Sequence, residues 1–212
     1  MPKSKYYVVW KGRRTGIFTS WAECSAAVTG FPEAEYKAFE SLAEAEAAFR
    51  RNYQDFKGRP ASSQRWLFAP TKPILPSICV DAACDGSPGR LEYRGVDTES
   101  RRQIFQAGPY ADGTNNVGEF LAIVHALRWL EGHNRDLPLY SDSTNAIAWV
   151  RAGKCRTKLA RTGRNAELFE LIARAEDWLA GHLTPSDPRE MTSLLKWDTA
   201  TWGENPADFG RK

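Results

Sequence analysis

The chain has 212 residues, 42% of them apolar, and a formal net charge of +3. That length can bury one sizeable core and one small one, and the longest nearly apolar run, Phe120 to Leu127, is far short of the roughly 20 residues that a bilayer span needs. Charge is unevenly spread: residues 1–57 carry +2, residues 58–73 carry +3 and residues 74–212 carry −2, an awkward sign for a phosphate-handling enzyme unless cations fill its site.

Tyr6 to Trp10 is aromatic and β-branched and reads as a strand, with a turn at Lys11–Arg14 and a return strand at Gly16–Phe18. Ser20 with Glu23, and Ser41 with Glu44, are capping boxes that open two helices, the second expected to end near Tyr53. Tyr36 to Phe39 is a strand between them. A small α+β domain over residues 1–55 follows. Residues 56–75, with Pro60, Pro70, Pro73 and paired serines, have a linker's composition, although Trp66, Leu67 and Phe68 could dock on a domain.

From Ile78 the pattern becomes α/β. Ile78-Cys79-Val80 is a buried-type strand expected to end at Asp81, and strands follow around Leu91–Val96 and Gln103–Ala107. A long helix over about Asn116–Leu130 places Phe120, Ile123, Val124, Leu127 and Leu130 on one face. A strand at Leu137–Tyr140, helices near Thr144–Arg151 and Asn165–Leu179, and a strand at Leu194–Trp197 complete a mixed sheet covered by helices, expected over residues 76–212. Cys24, Cys79, Cys84 and Cys155 form no C-x-x-C pair, which argues for reduced, mostly buried thiols rather than a zinc ribbon or disulfide framework. No basic-then-apolar leader precedes Tyr6, so a soluble, cytoplasmic protein with no membrane partner is expected.

Asp81 lies on an apolar strand, where a charge is costly without a partner. Glu119 reads as first-turn on the long helix, behind Gly113-Thr114-Asn115-Asn116; Asp142 follows the next strand; Glu204 and Asp208 lie in the tail. Each acid alone has an ordinary explanation, as a cap, a dipole partner or a turn former. Their coincidence at element boundaries points instead to one crevice, because strand ends and adjoining helix starts face it in an open α/β sheet.

The runs Val80-Asp81-Ala82-Ala83-Cys84, Gly113 to Phe120, Tyr140-Ser141-Asp142-Ser143, and Trp202-Gly203-Glu204 through Lys212 resemble type 1 ribonuclease H over about residues 76–212. Residues 5–50 resemble the hybrid-binding domain of bacterial members, in Gly12-Arg13, Thr15-Gly16, Ser20-Trp21 and Phe31-Pro32. The resemblance implies a mixed five-stranded sheet flanked by helices, and endonucleolytic cleavage of the RNA strand of RNA/DNA hybrids to 5′-phosphate and 3′-hydroxyl ends. It implies two Mg²⁺ ions, with Mn²⁺ able to substitute, held by Asp81, Glu119, Asp142 and Asp208, with Glu204 as an auxiliary acid in turnover. Backbone groups of Cys84 to Ser87, Gly86 included, together with Asn115 and Glu119, would sense the ribose 2′-hydroxyl. Thr114, Asn116 and Thr157 would hold a DNA phosphate. In the N-terminal domain Trp21 and Tyr36 would form an aromatic platform, with Tyr7 and Lys37 contacting backbone.

Some family positions differ here. Ala82-Ala83 stands where glycine is common, Thr144 where a longer amide occurs, and Ala38 where a second basic residue often follows Lys37. His182 lies too early for the family's mobile-loop histidine, and His125 reads as core or rim. Only Glu131 to Asp136 separates the long helix from the next strand, which leaves no room for the basic protrusion of some relatives. The rival readings are a different nuclease or strand-transfer enzyme on one fold, a non-catalytic hybrid binder, and a metal-storage protein. A monomer is expected.

Overall fold

The computed structural model describes residues 5–57, 65–67, 69–182 and 193–210. The chain divides into two compact units, one of residues 1–72 with 200–204 and the other of residues 73–199 with 205–212.

The first unit contains β1 (Tyr6–Lys11), β2 (Gly16–Phe18), α1 (Trp21–Val28), β3 (Glu35–Phe39) and α2 (Leu42–Phe49), with an antiparallel sheet in the order β2-β1-β3. Alternation along β1 divides the apolar residues between two faces. Val8 packs with Phe39, Ala45, Ala48 and Phe56, and Val9 with Phe18, Cys24, Ala27 and Val28. Thus α2 covers one face and α1 the other. Both expected helix starts are present: Ser20 Oγ accepts from the Glu23 N–H at 3.3 Å and Ser41 Oγ from the Glu44 N–H at 3.2 Å. Each satisfies a donor that a helix end leaves orphaned, worth about 1 kcal/mol.

Two expectations change in this unit. The second helix stops at Phe49, short of Tyr53, because Asn52 caps a separate 3-10 turn at Tyr53–Asp55. The stretch expected as linker supplies core: Phe56 and Trp66 are buried, and Leu67 packs on the Val8 cluster. Trp10 stacks on Phe56 with ring centroids 5.5 Å apart, and its indole N–H donates to the Ala48 and Arg51 carbonyls. Apolar aromatic surface outweighs the Pro and Ser composition around it. Phe68 lies outside the described residues.

The second unit runs β4 (Ile78–Gly86), β5 (Gly89–Asp97), β6 (Gln103–Gly113), α3 (Asn115–Gly132), β7 (Leu139–Ser141), α4 (Thr144–Arg151), α5 (Ala166–His182) and β8 (Leu194–Lys196); a four-residue helix, α6 (Thr199–Trp202), follows in the chain. The sheet order is β6-β5-β4-β7-β8, antiparallel among β4, β5 and β6 and parallel from β4 to β7 to β8. A mixed five-stranded sheet flanked by helices is therefore the fold, as the sequence predicts. Among the described residues no helix is long and apolar enough to cross a membrane, and all four cysteines are free.

The boundaries of the site elements differ from the sequence reading. Asp81 does not end β4. The strand pairs with β5 without a break from Ile78↔Asp97 to Gly86↔Gly89, so Cys84 and Gly86 are strand residues and only Ser87-Pro88 make the turn. A charged residue reads as a terminus in sequence, but the antiparallel ladder carries the backbone past it. Helix α3 begins at Asn115, capped by Thr114, which puts Glu119 in the second turn.

Gly118 sets the height of α3 above the sheet. A Cβ there would lie 2.5 Å from Leu91 Cδ1 and 2.7 Å from Ala82 Cβ, so any side chain would lift the helix from β4 and β5. Gly118→Ala is expected to lower stability by about 1–3 kcal/mol through overpacking. Urea unfolding of the two proteins measures the difference, and an equal midpoint at equal slope would refute the contact.

Candidate active site

The site forms where β4 and β7 part. These strands pair only at Ile78↔Leu139 and Cys79↔Tyr140. The same offset carried two residues further sets Asp81 level with Asp142, at the open end of a parallel pair. Close seating of α3 at Gly118 brings Glu119 down beside them. Asp81, Glu119 and Asp142 each offer a carboxylate oxygen, and these oxygens lie within 4.8 Å of one another.

Asp208 lines the same cavity of about 290 Å³, with Asn115 and Phe209, but stands outside that tight trio. Its Oδ1 accepts from the Gly210 N–H at 2.6 Å. The tail that carries it is held by Arg94 on β5, which donates from Nε to the Ala207 carbonyl at 2.8 Å and from Nη2 to the Asp208 carbonyl at 2.6 Å. Glu204 is half-buried and does not line this cavity.

Burial and the charge of Asp142 raise the pKa of both Asp81 and Glu119. Asp81 is pushed up to about 8, first by desolvation and then by the charge of Asp142, against a hydrogen bond from the Ala82 N–H. Glu119 is pushed up to about 7 by desolvation and by Asp142, while a hydrogen bond from Ser143 works the other way. Asn115 Nδ2 also donates to Glu119 Oε1 at 3.0 Å. Thr114 occupies the cap position without a side-chain cap bond, so ordinary N-capping does not explain the Thr-Asn-Asn run. The all-oxygen donor set and its uncompensated charge fit a hard divalent cation.

A second cavity of about 590 Å³ is lined by Ser87, Thr114, Asn116, Thr157, Lys158 and Asn165 among others. It brings Thr157 to the residues that the sequence groups with it, although a long stretch of chain separates them. Cys84 lines the acidic cavity and its thiol donates to the Gly113 carbonyl at 3.3 Å. Lys196 on β8 donates to Thr144 Oγ1 at 2.8 Å. His182 pairs with Glu131 at 2.9 Å and stacks on Trp178, and the His125 ring lies 4.0 Å from that of Phe105. Both histidines are accounted for by packing.

In the first unit, Trp21 and Tyr36 are 50% and 40% exposed, their ring centroids 5.9 Å apart, and Tyr7 lies 5.6 Å from Trp21. A wet aromatic row is not what a small domain's core looks like. Lys37 does not join it: strand alternation turns it to the α2 side, where Nζ donates to the Phe56 carbonyl at 2.8 Å.

Sequence reasoning missed Asn205, Ser143 and Arg94. Asn205 is 2% exposed; its Nδ2 donates to the Val80 carbonyl at 2.9 Å and to Asp142 Oδ1 at 3.3 Å. A buried polar side chain is visible only once the fold closes over it. The readable signal was Asn-Pro before Ala207-Asp208, a turn former placed next to a candidate acid.

An acid-lined crevice at the parting of a mixed sheet is chemically suited to a cation held on oxygen. Residues 77–183 match the family model described as RNase H, and residues 5–49 match that described as Ribonuclease H1 N-terminal domain. A ribonuclease H of Syntrophomonas wolfei is 34% identical over 103 residues, covering 49% of this chain and 70% of that protein. A ribonuclease H of Schizosaccharomyces pombe is 25% identical, covering 98% of this chain and 96% of that one. Mouse ribonuclease H1 is 51% identical over 45 residues, 21% of this chain and 16% of its own length. The chain belongs to the ribonuclease H family and is a ribonuclease H enzyme.

The raised acids make stability depend on pH. The folded protein binds protons more tightly than the unfolded chain, so this contribution is complete below about pH 4 and is lost as pH rises through about 7 and 8. In chelator, the urea midpoint should fall between pH 5 and pH 8, and Asp81→Asn should flatten that slope. An Asp81→Asn profile parallel to the parent's would show that Asp81 is not protonated on folding.

Proposed function

We propose that this protein cuts the RNA strand of RNA/DNA hybrids endonucleolytically, with two divalent cations, leaving 5′-phosphate and 3′-hydroxyl ends. The observation that carries the reading is the trio of carboxylates from β4, α3 and the end of β7, whose oxygens lie within 4.8 Å of one another. Asp81, Glu119, Asp142 and Asp208 would hold the ions, Mg²⁺ by preference with Mn²⁺ able to substitute. When bound, the ions supply a deprotonated water as nucleophile and neutralise the charge that develops on the leaving 3′-oxygen. Glu204, outside the cavity lining, acts later in turnover on this reading, as ions and product depart.

The remaining residues bind and orient. Asn115 donates to Glu119, which fixes that carboxylate and presents a paired amide and acid to a ribose 2′-hydroxyl. The backbone of Cys84 to Ser87 borders the same strand of substrate. Thr114, Asn116 and Thr157 converge on the 590 Å³ cavity, where hydroxyl and amide donors at a helix start suit a DNA-strand phosphate. Trp21 and Tyr36, with Tyr7 behind them, offer aromatic faces for sugars without sequence preference, and Lys37 adds its charge only on leaving the Phe56 carbonyl. Four free cysteines suit a reducing compartment such as the cytoplasm.

Labelled hybrid should be cleaved in Mg²⁺ and left intact in chelator, whereas duplex DNA and duplex RNA should survive both. Cleavage independent of added cation would refute the mechanism, and equal cleavage of duplex DNA the substrate. Asp142→Asn is expected to retain hybrid binding and lose cleavage by several orders of magnitude; parental turnover would remove Asp142 from the site. Deleting residues 1–60 should raise KM on long hybrids and spare kcat on short ones. An unchanged KM on long hybrids would count against the aromatic row as a binding surface.

A further inference from the structure

We infer that Asn205 is a positioning residue of the reaction, its carboxamide registering Asp142 and the Asp208 tail against β4 so that cation affinity, rather than hybrid affinity, depends on it. This rests on the reading of the acids as cation ligands.

The Asn205 carboxamide touches three chain segments. One donation from Nδ2 reaches the Val80 carbonyl at 2.9 Å, beside Asp81 and just where β7 stops pairing with β4. Another reaches Asp142 Oδ1 at 3.3 Å. Its Oδ1 accepts from the Ala207 N–H at 2.9 Å, and its backbone carbonyl accepts from the Asp208 N–H at 2.9 Å. Asp81, Asp142 and Asp208 are thus tied to one buried side chain, directly or through the adjoining backbone.

A purely structural asparagine would satisfy the strand carbonyl and close the local turn. Neither task needs the bond to Asp142. The donor type also fits: a neutral amide holds a carboxylate still and leaves its charge for a cation, whereas lysine or arginine at this place would compete with the ion. Arg94 grips the tail from the other side, through the Ala207 and Asp208 carbonyls and with its guanidinium 4.5 Å over the Phe209 ring. Asn205 joins that tail to Asp142.

Asn205→Ser keeps the local turn and gives up both amide donations, to the Val80 carbonyl and to Asp142, so cation affinity has to be read beside Tm. The hydroxyl keeps an acceptor for the Ala207 N–H, in the weaker turn that serine forms, and has no amide to reach Asp142. Removing a group that orients a metal ligand typically weakens affinity by about tenfold or more. Calorimetric titration of the full-length protein with Mn²⁺, without substrate, should show a loss of that size. The Mg²⁺ concentration for half-maximal hybrid cleavage should rise by a similar factor, with KM for hybrid at saturating Mg²⁺ held within about twofold.

An Asn205→Ser protein with a lower Tm and unchanged Mn²⁺ affinity overturns the inference. Where Asn205→Ser does not fold, Asn205→Thr carries the same test, its methyl filling more of the vacated space. Asp142→Asn and Asp208→Asn separate the two levels of failure. If both leave Mn²⁺ binding intact, the reading of the acids as ligands fails; if both abolish it while Asn205→Ser binds normally, the positioning role alone fails.

Discussion

Crowding three acids into one buried crevice is the constraint from which the catalytic unit is built: lost hydration weighs first on Asp81 and Glu119, and the charge of Asp142 adds to it. Carboxylates with oxygens within 4.8 Å of one another repel, when both are ionised, by roughly 3 kcal/mol or more per pair at an effective dielectric of about 20. Two such pairs rival a large share of the roughly 5–15 kcal/mol that keeps a domain folded. The fold meets this in two ways. Each acid comes from a different rigid element, so none can swing away without disturbing β4, α3 or β7. Asp81 and Glu119 also retain protons near neutrality, a burden that a divalent cation would lift. The proposed chemistry and the strain of the resting site thus have one source.

Much of this was legible in the residues, and the parts that were not share a cause. The order of strands and helices follows from periodicity, and α4 falls at Thr144–Arg151 as read. The acids were found because each sits beside an apolar run. Asp81 nevertheless reads as a strand end, since a lone sequence does not show that β5 pairs past it. Glu119 reads as first-turn because Thr114 and Asn115 both look like caps, whereas the helix starts at Asn115. Asn205 shows in the sequence only as a turn former, and Arg94 not at all: their partners, Val80, Asp142, Ala207 and Asp208, either lie far along the chain or engage through backbone carbonyls. Thr157 was legible through family likeness, and it is the fold that brings it to Thr114 and Asn116.

The N-terminal unit shows how composition misleads when a domain is small. Pro, Ser and Arg around Trp66 read as linker, yet a sheet of three short strands cannot shelter two faces by itself. Phe56 and Leu67 are recruited onto the Val8 cluster. What remains exposed is then informative. Trp21 and Tyr36 stay in water with their rings 5.9 Å apart and Tyr7 beside them, and that grouping is what the proposed binding surface rests on.

The order in which the acids occur along the chain has a consequence for synthesis on the ribosome. Strands and α-helices of the N-terminal unit are encoded within residues 6–49 and emerge before any acid of the cavity. Asp81, Glu119 and Asp142 follow, and Asp208 and the Asn205 that ties its tail to Asp142 emerge after them. A nascent chain therefore carries its aromatic surface long before its fourth acid is available.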